Sequence, residues 1–178
     1  PVFYSVDSVA GALGETLFGT AKNLDCFYYL HFAGGLGGTL VNNQVAYKGA
    51  NSNATEIGHI PVVPGGQACY CRNQGCLERY LSLQSLKEYL LENEVAVESK
   101  KDLESIINNE APLLIAWCEQ AAVYLRQTVC ILENTLDPQQ IIIGGTAPKA
   151  LVERIVAAAK PWLHSVRGGH NSSERVVL

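Results

Sequence analysis

The sequence predicts an α/β fold in which helices pack on a mixed sheet, and three observations carry that expectation. Gln140-Ile-Ile-Ile-Gly-Gly145 is a short apolar strand ending in glycines; a helical segment and a final strand at Arg175–Leu178 follow, the order of a parallel crossover. From Pro112 to Leu136, the residues Leu114, Cys118, Ala121, Leu125, Val129, Leu132 and Leu136 recur at steps of three and four, drawing one apolar stripe for packing on a sheet. Gly34-Gly35-Leu36-Gly37-Gly38 lies between two strand-like runs and marks a tight turn where another group, such as a phosphate, can approach backbone amides.

The elements follow in chain order. Pro1-Val2-Phe3-Tyr4-Ser5-Val6 reads as a strand, and Val9, Ala12, Leu13 and Leu17 recur at helical spacing, which puts Asp7 at a helix N-terminus and carries the helix to Phe18. Cys26–Phe32 is rich in aromatics and reads as a buried strand; Thr39–Tyr47 reads as a second strand turning at Asn42-Asn43 into a third. Helices are then expected from Leu77 to about Leu91, from Asp102 to Asn109, from Pro112, which suits a first helical turn, and from Lys149 to Leu163. There are no repeats, linkers or low-complexity tracts, and 178 residues make one domain able to bury a core unaided.

Composition narrows the function. With 48% hydrophobic and 17% charged residues the chain is globular, and no apolar run approaches the roughly 20 residues that cross a bilayer, so no membrane attachment is expected. The formal charge is −4 and the thirteen Lys and Arg are scattered, which argues against a nucleic-acid surface on this chain. The absence of methionine and the strand-like opening imply a piece of a longer polypeptide. No signal peptide accompanies the cysteines, so a cytoplasmic setting is expected.

The most specific stretch is His59-Ile-Pro-Val-Val-Pro-Gly-Gly-Gln-Ala-Cys69-Tyr-Cys71-Arg-Asn-Gln-Gly-Cys76, one histidine and three cysteines in eighteen residues. Zinc takes thiolate sulfur and imidazole nitrogen, and four such ligands close a structural site. Pro61, Pro64, Gly65 and Gly66 let the chain double back between His59 and Cys69. Disulfide pairing is the rival, but three cysteines leave one unpaired, so His59, Cys69, Cys71 and Cys76 are the candidate zinc ligands. One ring nitrogen of His59 could then bind the ion while the other faces a ligand.

Several segments together resemble the ROK family of repressors, open reading frames and kinases. They are Asp7 with Ala12-Leu13-Gly14-Glu15, the glycine turn, Gly49-Ala50-Asn51, Glu56-Ile57-Gly58-His59, the cysteine loop with Gly75 and Leu77-Glu78, and Leu136-Asp137-Pro138 with Gly144-Gly145. The resemblance covers nearly the whole chain and implies a ribonuclease-H-like, actin-like ATPase lobe, residues 1–178 being the C-terminal lobe. In full-length members this lobe pairs with an N-terminal lobe holding an Asp-x-Gly-x-Thr phosphate loop, a motif missing from these residues.

For function, the resemblance implies that Asp7 is the general base of a kinase, taking the proton of the attacking sugar hydroxyl; read alone, an Asp at a helix start is an N-cap. It implies sugar contacts by Asp7, Glu56, His59 and Glu78, and nucleotide contacts by Gly34, Gly35, Gly37, Gly144 and Gly145. Several residues depart from the kinase pattern. Val6 stands where an Asn is usual, Ala33-Gly34-Gly35 where Gly-Thr-Gly is usual, Thr146 after Gly144-Gly145 where a third glycine is usual, and Arg72 and Thr55 replace glycines. The expectation is therefore a sugar-sensing, zinc-binding lobe of a transcriptional regulator of the N-acetylglucosamine-repressor type, self-associating as a dimer or tetramer, with DNA contacts made by a helix-turn-helix elsewhere. The alternative is an ATP-dependent sugar kinase, which would add ATP and magnesium. A third reading is a dimerisation module with a decayed pocket.

Overall fold

The aromatic run Cys26–Phe32 forms β1, the middle strand of a sheet ordered β3-β2-β1-β4-β5 among the described residues. β2 (Leu36–Asn42) runs antiparallel to β1, and β4 (Gln140–Gly145) runs parallel to it. Asn43 and Gln44 turn the chain into β3 (Val45–Ala46) with φ of 50° and 64°, the twist that suits a two-residue hairpin. β5 (Val176–Val177) is parallel to β4 and is reached through α5 (Lys149–Ala158), which is the crossover expected from the glycine-ended strand. The structure is a computed structural model describing residues 5–166 and 175–178; the strand expected over residues 1–6 lies largely outside the described residues.

Strand alternation divides the core. Tyr28, Leu30 and Phe32 of β1 join Ile141, Ile143 and Val176 on one face, against the stripe of α4 (Pro112–Leu136) and against α5. Phe27 and Tyr29 join Val41 and Ile142 on the other face, where Ala12 of α1 (Asp7–Phe18) packs. His31 continues the series of Phe27 and Tyr29, so it points to the α1 face and toward the start of that helix.

Four expectations change. The glycine turn is confined to Ala33–Gly35, because Gly37 and Gly38 are already paired with His31 and Leu30 in β2. Gly38 is required there by packing, since a Cβ would stand 2.0 Å from the Tyr28 hydroxyl. The helix expected from Leu77 to Leu91 is instead a 3₁₀ turn, Leu77–Arg79, followed by α2 (Leu83–Glu92). Ser82 breaks it: its Oγ accepts from the Ser85 amide at 3.0 Å while Ser85 Oγ accepts from the Ser82 amide at 3.1 Å, a capping box that starts a new helix.

The last helix stops at Ala158 instead of Leu163, because Arg126 of α4 donates to the carbonyls of Ala158 (3.1 Å) and Ala159 (2.8 Å), and Pro161 disfavours helical geometry at Lys160. α3 spans Lys100–Asn108, two residues ahead of the expected start, with Ser99 and Asp102 forming its capping box.

Candidate functional site

The parallel pair β1 and β4 ends in the two glycine segments, and a cleft of about 520 Å³, counting solvent at its mouth, opens beside the first of them. Gly35 and Gly37 line its floor. Asp7, His31, Glu56, His59, Tyr70 and Glu78 bring the polar groups, so all four expected sugar-contact residues share one cleft.

α1 delivers Asp7. The N-cap is Val6 and makes no side-chain cap bond, so Asp7 is the first helical residue and the N-cap reading fails. Its Oδ1 accepts from the Ser8 amide at 2.7 Å, and its Oδ2 lies 3.4 Å from Nε2 of His31. The helix start is pinned to the sheet where Thr39 Oγ1 of β2 donates to Ser8 Oγ at 3.0 Å. His31 was not among the residues singled out in the sequence; its Nδ1 is buried with no hydrogen-bond partner among the described residues.

Glu56 precedes the 3₁₀ turn Ile57–His59, which buried Ile57 anchors in the core. Glu78 lies on the second 3₁₀ turn and is buried rather than solvated. Its Oε1 sits 3.4 Å from His59 Nδ1 and accepts from the Cys69 thiol at 3.1 Å. Glu78 therefore joins the cleft to the cysteine loop.

That loop gathers the four expected ligands: His59, Cys69, Cys71 and Cys76 place their ligand atoms within 4.8 Å of one another. Cys69 Sγ is 3.6 Å from His59 Nδ1, and Cys71 Sγ is 3.6 Å from Cys76 Sγ. A tetrahedral ion with bonds of about 2.3 Å to sulfur and about 2.0 Å to nitrogen has edges of roughly 3.5–3.8 Å, which those two pairs match, and the remaining donors lie close enough to complete such a set. Four protein ligands leave no open position, which makes the cluster able to hold a metal in a structural role. Short pairings hold the loop: Cys69 N donates to Asn73 O at 2.9 Å, and Gly75 N to Gln67 O at 2.8 Å.

In the metal-free cluster the thiols differ. Burial pushes Cys69 up to about 12, with its hydrogen bond to Glu78 acting the same way, and burial also raises Cys76. A backbone hydrogen bond at Asn73 holds Cys71 below the ordinary thiol value. The other ring nitrogen of His59, Nε2, meets the Tyr70 hydroxyl at 2.8 Å, and the two rings stand edge to face with centroids 4.9 Å apart. Tyr70 was not anticipated either, although its place between two ligand cysteines was the available signal.

The expected nucleotide glycines divide. Gly35 and Gly37 reach the cleft, whereas Gly34, Gly144 and Gly145 are not among its lining residues. The turn also faces α2: Leu83 N donates to Ala33 O at 2.9 Å and Gln84 N to Gly34 O at 3.1 Å. With Ser85 N on Ser82 Oγ, the first three amides of α2 are satisfied inside the protein. The substitutions at Thr55 and Arg72 have a backbone meaning, since both residues hold positive φ, 69° and 75°, where glycine is the unstrained choice.

An actin-like mixed sheet with a Cys3His cluster opening onto a carboxylate-lined cleft defines the class: one lobe of an actin-like ATPase fold. The chain belongs to the ROK family, whose profile matches residues 1–174. It is 34% identical over 148 residues to the xylose repressor of Bacillus subtilis, aligning 80% of this chain with 37% of that protein. It is 30% identical over 165 residues to the glucokinase of Halalkalibacterium halodurans, aligning 84% of this chain with 50% of that protein.

Among solved structures, a ROK-family glucokinase from Streptomyces griseus in complex with glucose and AMPPNP superposes with a TM-score of 0.82 at 26% identity, covering 100% of this chain and 62% of that one. A ROK-family transcriptional regulator homologous to the MLC protein of E. coli superposes with a TM-score of 0.80 at 28% identity, covering 99% and 48%. The chain thus spans half or less of the length of these two curated relatives. No described helix is long and apolar enough to cross a membrane.

Proposed function

We propose that this chain is the sugar-sensing, zinc-holding C-terminal lobe of a ROK-family transcriptional regulator. The observation that carries the reading is the convergence of Asp7, Glu56, His59 and Glu78 from three separate segments on one cleft. Carboxylates and an imidazole can accept from and donate to vicinal hydroxyls, the recognition a sugar requires. Three sulfurs and one imidazole nitrogen suit zinc, and an ion held there would fix the ring of His59 and the start of the Glu78 turn. A xylose repressor and an N-acetylglucosamine repressor are among the relatives, which supports a sugar as the ligand. Self-association as a dimer or tetramer would run through this lobe, and DNA contacts would be made by a helix-turn-helix in another segment of the whole protein.

The kinase reading is favoured by one feature, the exposed Asp7 carboxylate lining the cleft beside His31, where a general base would act. Against it stands Ala33, which brings no hydroxyl to the turn. Calorimetry of the whole natural protein with D-xylose, D-glucose and N-acetylglucosamine, run beside an ATP-turnover assay with magnesium, separates the two. Sugar binding without turnover is expected; sugar-dependent ADP release would establish the kinase, and no binding of any sugar would defeat both.

A further inference from the structure

We propose that the Tyr70 hydroxyl occupies the outer nitrogen of His59 while the cleft is empty, and that a ligand binds by displacing it, making Tyr70 a selectivity residue. This rests on the sugar-sensing reading above. His59 Nδ1 is turned to the cysteine cluster, 3.6 Å from Cys69 Sγ, so an ion held there takes the lone pair of Nδ1 and leaves the ring proton on Nε2. Nε2–H then donates to the Tyr70 oxygen, 2.8 Å away. A single N–H serves one strong acceptor, so a ligand hydroxyl that reaches His59 must take the place of the phenol.

The surroundings suit such an exchange. Tyr70 is 80% exposed, so little packing opposes movement of its ring, and what contact it has is edge-on to His59. Its ring also lines the cleft alongside Asp7, Glu56 and Glu78, so the departing phenol leaves space where the arriving hydroxyl needs it. Ligands that engage Nε2 carry the cost of displacement. Ligands that do not engage it are indifferent to Tyr70, and this difference is the selectivity.

The test compares Tyr70→Phe with the unaltered sequence in the metal-loaded natural protein. Without sugar, imidazole NMR is expected to give a slowly exchanging Hε2 proton for His59 that becomes fast-exchanging in Tyr70→Phe; identical spectra overturn the latch with no reference to any ligand. Titration with D-xylose, D-glucose and N-acetylglucosamine is expected to show affinity rising roughly three- to tenfold in the variant for each sugar that binds through His59. Unchanged or weaker binding of every sugar overturns the displacement. If the spectra differ as expected yet neither protein binds any of the sugars, the sugar-sensing reading falls, and the displacement with it.

Discussion

Gly58, between Glu56 and His59, explains at the level of one residue why the Glu-x-Gly-His motif tolerates no side chain there. A Cβ at Gly58 would stand 2.0 Å from the Leu36 carbonyl oxygen of β2, backbone that cannot step aside. Gly58→Ala is therefore expected to destabilise the fold by about 2 kcal/mol or more and to displace Glu56 and His59, measured as a lower urea midpoint together with lost metal affinity. Arg72 gives the opposite case: with φ of 75°, Arg72→Gly relieves left-handed strain, and a gain of about 0.5–1 kcal/mol in thermal unfolding is expected, net of the greater freedom of glycine in the unfolded chain. The cleft carboxylates and the four candidate metal ligands could be named from the sequence, the former through the family resemblance and the latter because His59 to Cys76 is one compact stretch. His31 could not be, because its proximity to Asp7 depends on strand alternation bringing it to the α1 face across a separation of 24 positions in the chain.

Between elements, a polar tie outside the cleft is the paired contact of Arg175 with Glu133, which joins the start of β5 to α4. Glu133 is 1% exposed, and this guanidinium supplies compensation to its buried carboxylate. Arg175→Ala is expected to cost about 3 kcal/mol, read from chemical denaturation, and to loosen β5 from β4 first, read from amide exchange along the strand. The pair was not legible in the sequence, whereas α1, α4 and β4 were found at their observed bounds, their periodicity being uninterrupted. The failures were at boundaries governed by side chains acting on backbone: Ser82 and Ser85 divided one expected helix, and Arg126 shortened another from outside. Apolar spacing carries no trace of either.

For the molecule as a whole, a metal held by the cluster would couple its loading to protons. Because burial pushes Cys69 up to about 12 and raises Cys76, the metal-free loop holds both thiols protonated at neutral pH, and an ion must release those protons. Apparent zinc affinity is thus expected to rise with pH, roughly tenfold per unit for each proton released, in chelator-competition titrations. The metal-free fold has the converse dependence: a thiol raised on folding contributes stability that is present below its ordinary 9.0 and is lost as pH climbs toward about 12. Zinc removal by a chelator is expected to lower the melting temperature and to abolish sugar binding together. The α/β class and the sheet with its crossover were readable from pattern alone; the junction of cleft and cluster through Glu78 was not, since it is made by folding two loops together. The two hydrogen bonds from Leu83 and Gln84 to the glycine turn give this junction a mechanical reach, because the cleft floor and α2 cannot shift independently without breaking them. A ligand that moved the turn would strain those two bonds, and a change in the exchange rates of the Leu83 and Gln84 amides is the expected signal that the seat is taken.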